Sequence, residues 1–186
     1  MVIHPTSSPH QGGAALGGGV STGETETAAL PPALAEIAED FTGLEVKQRL
    51  QLLLEFSDDL PPLPDRYAGH VELMEQVDEC QSPVFLVVEV SLEGQDGEPG
   101  ADGEVRLYFQ APAESPTTRG FAGILSEGLS GLRVSEVLAV PDDAPYRFGL
   151  AEAVSPLRLR GMVAMLSRIK RQVRLKSTGA GQTEPS

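Results

Sequence analysis

The chain has one cysteine, no tryptophan and three histidines in 186 residues. One thiol cannot close an internal disulfide, so a disulfide-stapled scaffold is excluded. Structural zinc asks for four Cys or His ligands. Outside the N-terminal stretch that carries His4 and His10, only Cys80 and His70 remain. A CxxC redox couple and a thiolate-held cluster fail on the same count, and no resident metal or cofactor is expected. Positive charge is scarce too: 14 Lys and Arg against 27 Asp and Glu leave a formal net charge of −13. Nucleic acid and anionic membrane surfaces both select a basic face, so neither is expected as a partner. No apolar run approaches the ~20 residues that span a bilayer; the longest, Val84 to Val88, is strand-sized. The N-terminus shows neither the basic start nor the apolar run of a signal peptide. A cytoplasmic protein is expected.

What is present fits one soluble globular domain with tails: 40% hydrophobic and 22% charged residues. Residues 1–29, with Ser7-Ser8-Pro9, Gly17-Gly18-Gly19 and Glu24-Thr25-Glu26-Thr27, carry too little apolar mass to offset their ordering entropy and read as a disordered tail. The domain is expected over 30–176, and a second tail over 177–186.

Leu34, Ile37, Ala38 and Phe41 fall at i, i+3, i+4 and i+7 and predict a first helix. Thr42-Gly43-Leu44-Glu45 matches a capping box for a second, with Val46, Leu50, Leu53 and Leu54 as its buried stripe. The run Leu60-Pro61-Pro62-Leu63-Pro64 predicts an extended connector that packs through its leucines. Val71 to Asp78 reads as a short strand, and Val84 to Val90 as a clear one. Val105 to Phe109 is its antiparallel return across the acidic, glycine-rich loop Glu93–Gly103. That loop lacks the ligand spacing of a calcium site. Pro116 near the first position predicts a helix whose face is Phe121, Ile124, Leu125 and Leu129, with glycines that allow close packing. Val134 to Val140 is a short helix or strand. The last helix has Ser155 as cap and Pro156 at its first position, and Leu159, Met162, Val163, Leu166, Ile169 and Val173 repeat along it. Arg168, Lys170, Arg171 and Arg174 suit its negative end and read as a solvated face. Arg158 and Arg160 sit at the positive end, where a cation is disfavoured, and are candidates for an anion or an acidic partner.

Cys80 lies on the joint Glu79-Cys80-Gln81-Ser82-Pro83 between two strands, a turn at a sheet end. Two readings stand: a small packed hydrophobe, or a reactive thiol, which needs its thiolate. Glu79 raises the pKa by like charge, so activation has to come from elsewhere, such as the Gln81 and Ser82 amides or a partner's cation. A Cys-His hydrolase with His70 as base would also need an orienting group and an oxyanion hole, and the sequence marks neither.

Four stretches in chain order, Leu60–Pro64, Glu79–Leu86, Ala113–Phe121 and Ser155–Met162, together resemble the SufE family, sulfur-acceptor partners of cysteine desulfurases in iron–sulfur cluster assembly. Glu79-Cys80-Gln81-Ser82-Pro83-Val84-Phe85-Leu86 resembles its Gly-Cys-Gln-Ser-x-Val-Trp motif. Leu60-Pro61-Pro62-Leu63-Pro64 resembles its Leu-Pro-x-Leu-Pro segment. Ala113-Glu114-Ser115-Pro116-Thr117-Thr118-Arg119-Gly120-Phe121 resembles its Ser-Asp-Ala-x-Ile-Val-x-Gly-Leu segment, with Glu114 at the acidic position. Ser155-Pro156-Leu157-Arg158-Leu159-Arg160-Gly161-Met162 resembles its Thr-Pro-Ser-Arg-x-x-Gly helix start, with Arg158 on the arginine. Glu79 stands where the family has glycine, Phe85 where it has tryptophan, and Leu157 where it has serine.

The resemblance implies an α/β (α+β) fold, a small antiparallel sheet with helices packed on it, like the cluster scaffold proteins. It implies that Cys80 takes persulfide sulfur from a SufS-like, pyridoxal-phosphate cysteine desulfurase, stimulates that enzyme, and passes the sulfur to a downstream iron–sulfur scaffold. The chain would then be a carrier and activator, not an enzyme. Gln81, Ser82, Glu114 and Arg158 would support the loop or bind the partner. The alternative is a non-catalytic adaptor that activates the desulfurase by binding only.

Overall fold

A computed structural model describes residues 29–91 and 103–178. The sequence expectations for most of the two tails and most of the Glu93–Gly103 loop lie outside the described residues; Ser177, expected in the second tail, is helical.

Two helices open the fold, α1 (Pro32–Thr42) and α2 (Val46–Asp58). Leu34, Ile37, Ala38 and Phe41 bury one face of α1, as their spacing predicts. The junction differs from expectation. Thr42 stays in α1 and its hydroxyl donates to Ala38 O at 2.8 Å. Gln48 Oε1 instead accepts the Glu45 N–H at 3.1 Å, so the box forms one turn further on.

The expected stripe of α2 is also corrected. Only Leu53 of the four is buried, while Val46, Leu50 and Leu54 are exposed. The cause is on α3 (Pro116–Leu129). A side chain at Gly120 would strike the Leu53 backbone, and one at Gly123 the Phe56 backbone. These glycines admit the Leu53–Phe56 side of α2 and so turn the rest of the helix outward. Arg49 fixes the same rotation by donating to Gly149 O at 2.7 Å.

The sheet has three antiparallel strands in the order β1 (Glu75–Gln76), β2 (Phe85–Val90) and β3 (Val105–Gln110). The strand expected over Val71–Asp78 shrinks to β1, because Val71–Leu73 coils into a 3-10 turn. Leu86, Val88, Val105, Leu107 and Phe109 point into one core with α1, α3 and α5 (Pro156–Ser177). The opposite face carries Glu89, Tyr108 and the turn that brings Arg66 and Tyr67. Arg66 donates twice to Glu89, at 2.8 Å each, and lies 5.2 Å from both tyrosine ring centres.

Beyond the end of β1, the edge of β2 is completed by side chains of α5. The Val88 N–H donates to Gln172 Oε1 at 2.9 Å, and Lys176 Nζ donates to Val88 O. Such pairing blunts an edge that would otherwise offer open backbone groups. α4 (Val134–Ala139) resolves the helix-or-strand alternative as helix. No helix of the described residues is long and apolar enough to cross a membrane.

Candidate functional site

Cys80 sits on the turn between β1 and β2. The Val77 N–H donates to Val84 O at 2.8 Å, closing the ladder, and the Cys80 N–H donates to Val77 O at 3.1 Å, forming the turn itself. The thiol is partly buried against α5. A Cβ at Gly161 would lie 2.9 Å from Cys80 Sγ, so this helix position leaves room for a sulfur only while it is glycine. A helix-interior glycine costs about 1 kcal/mol against alanine; here it makes space for the thiol. The sequence pattern contains Gly161 but gives no reason for it. The cost of a glycine inside an otherwise strong helix is the signal that could have pointed to a close approach.

A cavity of about 210 Å³ opens beside the thiol, lined by Cys80, Gln81, Ser82, Glu114, Thr117 and Arg158 among others. The fold therefore gathers all five candidate residues around one space, from the β1–β2 turn, the entry to α3 and the first turn of α5. Ser115, Thr117 and Thr118, to which the sequence reading gives no site role, line it too, as does Phe121 from the buried face of α3. Ser115 Oγ donates to Ser82 Oγ at 2.6 Å and ties the turn to α3. At α5 the Ser155 side chain accepts the Arg158 N–H at 3.4 Å, as a cap should. That places the Arg158 guanidinium at the cavity, exposed and without a bonded partner among the described residues. Glu114 is exposed on the same rim.

Burial pushes the Cys80 thiol up to about 11; the Glu79 carboxylate adds to the rise and Arg168 opposes it. At rest the sulfur is a protonated, weak nucleophile. Burial alone would raise the Glu79 carboxyl, but backbone hydrogen bonding and Arg168 hold it below the usual carboxylate range. Glu79 is thus an anion beside the thiol, paired with Arg168 at 2.5 Å.

Two expectations about cations are corrected. Lys170 is not on a solvated face: it is buried, and Nζ donates to Val140 O at 2.7 Å and to Asp142 at 2.5 Å. Arg168 is largely covered and serves three carboxylates. Both partner sets come from residues distant in sequence, which helix periodicity cannot reveal. His70, the base of the hydrolase reading, does not line the cavity. It is exposed, with Nδ1 2.7 Å from Glu72 Oε1. The described residues contain no group of three or more His, Cys, Asp or Glu that could hold a metal.

A three-stranded antiparallel sheet backed by helices, with one half-buried thiol on the turn into its central strand, defines a small α+β domain built around a single cysteine. The SufE model, described as an Fe-S metabolism associated domain, matches residues 35–173. An uncharacterized SufE-like protein of Mycobacterium tuberculosis is 51% identical over 150 residues, covering 81% of this chain and 97% of that protein. The chloroplastic/mitochondrial SufE-like protein 1 of Arabidopsis thaliana is 28% identical over 144 residues, 77% of this chain and 35% of that longer protein. The solution structure of a hypothetical protein from Thermus thermophilus superposes with a TM-score of 0.66 at 43% identity, covering 81% of this chain and 99% of that one. The chain belongs to the SufE family, whose domain is associated with iron–sulfur metabolism.

Proposed function

We propose that the protein accepts sulfane sulfur on Cys80 from the persulfide of a cysteine desulfurase and hands it on for iron–sulfur cluster assembly. The observation that carries this reading is the cavity in which the sole thiol meets Gln81, Ser82, Glu114 and an Arg158 left unpaired among the described residues. The step is an exchange at sulfur. Cys80 thiolate attacks the outer sulfur of the donor persulfide and a new S–S bond forms. The donor's S–S bond breaks, and its cysteine leaves as a thiolate that takes up a proton. The thiol proton of Cys80 passes to solvent or to the docked partner. No net oxidation occurs, because the transferred sulfur keeps its oxidation state.

A thiol with a pKa near 11 is slow to attack on its own. The partner's role is then to draw Cys80 off Gly161, out of the desolvating site and toward a cation. Rim charges of both signs, Glu114 and Arg158, give the partner something to grip. One thiol also suits a carrier, since a second would displace the sulfur as an internal disulfide.

The adaptor reading draws on the same burial: a sulfur tucked against Gly161 could stay there while the surface around it binds. Desulfurase turnover with wild type and with Cys80→Ser separates the two. The carrier predicts that stimulation disappears in Cys80→Ser while binding persists. Full stimulation by Cys80→Ser would favour the adaptor.

A further inference from the structure

We propose that Arg168 is a positioning residue that latches the Cys80 turn closed: from the middle of α5 its guanidinium holds the Glu79 carboxylate, and that ion pair has to part before the thiol can leave Gly161. The purpose of the latch rests on the acceptor reading; its geometry does not.

Three carboxylates converge on this one guanidinium. Arg168 Nη1 donates to Glu79 Oε2 at 2.5 Å, Nε lies 3.0 Å from Glu75 Oε1, and Nη2 lies 4.0 Å from Asp78 Oδ2. The side chain is only 17% exposed, so water screens it less than an ordinary surface pair. Its partners are unlike one another. Glu75 belongs to β1 and is fixed from α5, accepting from Gln172 Nε2 at 2.9 Å and pairing with Arg171. Glu79 belongs to the turn and precedes Cys80 in the chain. The guanidinium is aimed at the turn: Nε is buried and close to Glu75 yet makes no aligned hydrogen bond, while Nη1 bonds Glu79 directly. The far side of the turn is held by the neutral Ser115–Ser82 hydroxyl pair. One of the two ties is therefore ionic, the kind that a docking partner's own charges can exchange. A carboxylate competes for Arg168, a cation for Glu79.

Latch and simple electrostatics predict opposite signs for one substitution. Arg168 lowers the Cys80 pKa through its charge. If charge were all, Arg168→Gln would leave less thiolate and slow alkylation by neutral iodoacetamide. If Arg168 holds the turn shut, the same change frees the thiol and speeds alkylation about two- to fivefold, the scale of a partly covered ion pair. Arg168→Lys, which keeps a cation but not the fork, is expected between the two.

The measurement is the alkylation rate of the full chain at one mildly alkaline pH, with circular dichroism to confirm the fold. A slower or unchanged rate in folded Arg168→Gln overturns the proposal. Should that variant not fold, hydrogen exchange in Glu79→Gln decides. The latch predicts several-fold faster exchange at the amides of residues 79–81, and unchanged exchange overturns it. Neither experiment uses a sulfur donor, so failure of the latch and failure of the acceptor reading appear separately.

Discussion

The two ends of α5 carry the same kind of side chain in different situations. At the N-terminal end Arg158 lines the Cys80 cavity, exposed and unbonded among the described residues. From Arg168 onward the cations, except the exposed Arg174, are built into the fold. Arg168 and Arg171 hold β1 and its turn, Lys170 closes the end of α4, and Lys176 caps an open carbonyl of β2. Composition counts all of these as surface basic residues. What separates them is whether the tertiary fold delivers a carboxylate or carbonyl to each. A cation left unmatched at the positive end of a helix, beside the only thiol, is at odds with local electrostatics and is the better candidate for function.

Substitutions along α5 sharpen or break this contrast, in order of their expected effect on the fold. Lys170→Ala should cost the most, about 2–4 kcal/mol, because it strands the Val140 carbonyl and removes a buried aliphatic stem. Denaturant unfolding measures it, and a loss under about 0.5 kcal/mol would mean that Lys170 is no more structural than Arg158. Gly161→Ala comes next. Crowding against Cys80 Sγ works against a gain in helix propensity, for a net loss of about 1 kcal/mol. The escape open to the molecule is to swing Cys80 outward, so alkylation of the thiol should rise. A stabilised variant with an unchanged thiol would show that the sulfur does not rest there.

The pH dependence tests the same contact. The closed turn holds the Cys80 proton up to about 11, above the value of a free thiol. Whatever stability the closed thiol contributes is therefore fully present below the free-thiol pKa. It is lost as pH rises through about 11, because the open or unfolded chain ionises first. Alkylation should accordingly keep rising past the free-thiol pKa. A plateau near the value of a free cysteine, about 8.5, would mean that the turn is open at rest. Arg158→Ala should have the smallest effect on the fold, within about 0.5 kcal/mol, yet should weaken desulfurase binding or sulfur loading. Unchanged binding and loading in that variant would remove Arg158 from the site.

Much of the scaffold is legible in the sequence because it is local. The apolar spacing of α1, Pro116 at the head of α3, Ser155-Pro156 at the head of α5 and the β-branched run of β2 each specify an element without outside help. The grouping of Cys80, Gln81, Ser82, Glu114 and Arg158 comes from motifs in order, and the fold brings them around one cavity. The features that the sequence hides depend on contacts between distant segments. The rotation of α2 is decided by Gly120 and Gly123 on another helix. The burial of Lys170 needs Val140 and Asp142, and the hold on Glu79 comes from a residue 89 positions away. No periodicity within α2 or α5 encodes such partners. The strand before Cys80 is shorter than its sequence suggests. Val71 and Leu73 look β-like, yet they fall in a 3-10 turn and remain exposed.

Whether sulfur moves onto Cys80 is decided by a single-turnover transfer. A cysteine desulfurase loaded with persulfide and freed of cysteine is mixed with the chain, and both proteins are weighed intact. With Cys80 as the acceptor, the donor loses one sulfur as the chain gains one, located on Cys80 by peptide mapping. A donor that keeps its persulfide while the chain, bound to it, gains no mass would mean that Cys80 is not the acceptor.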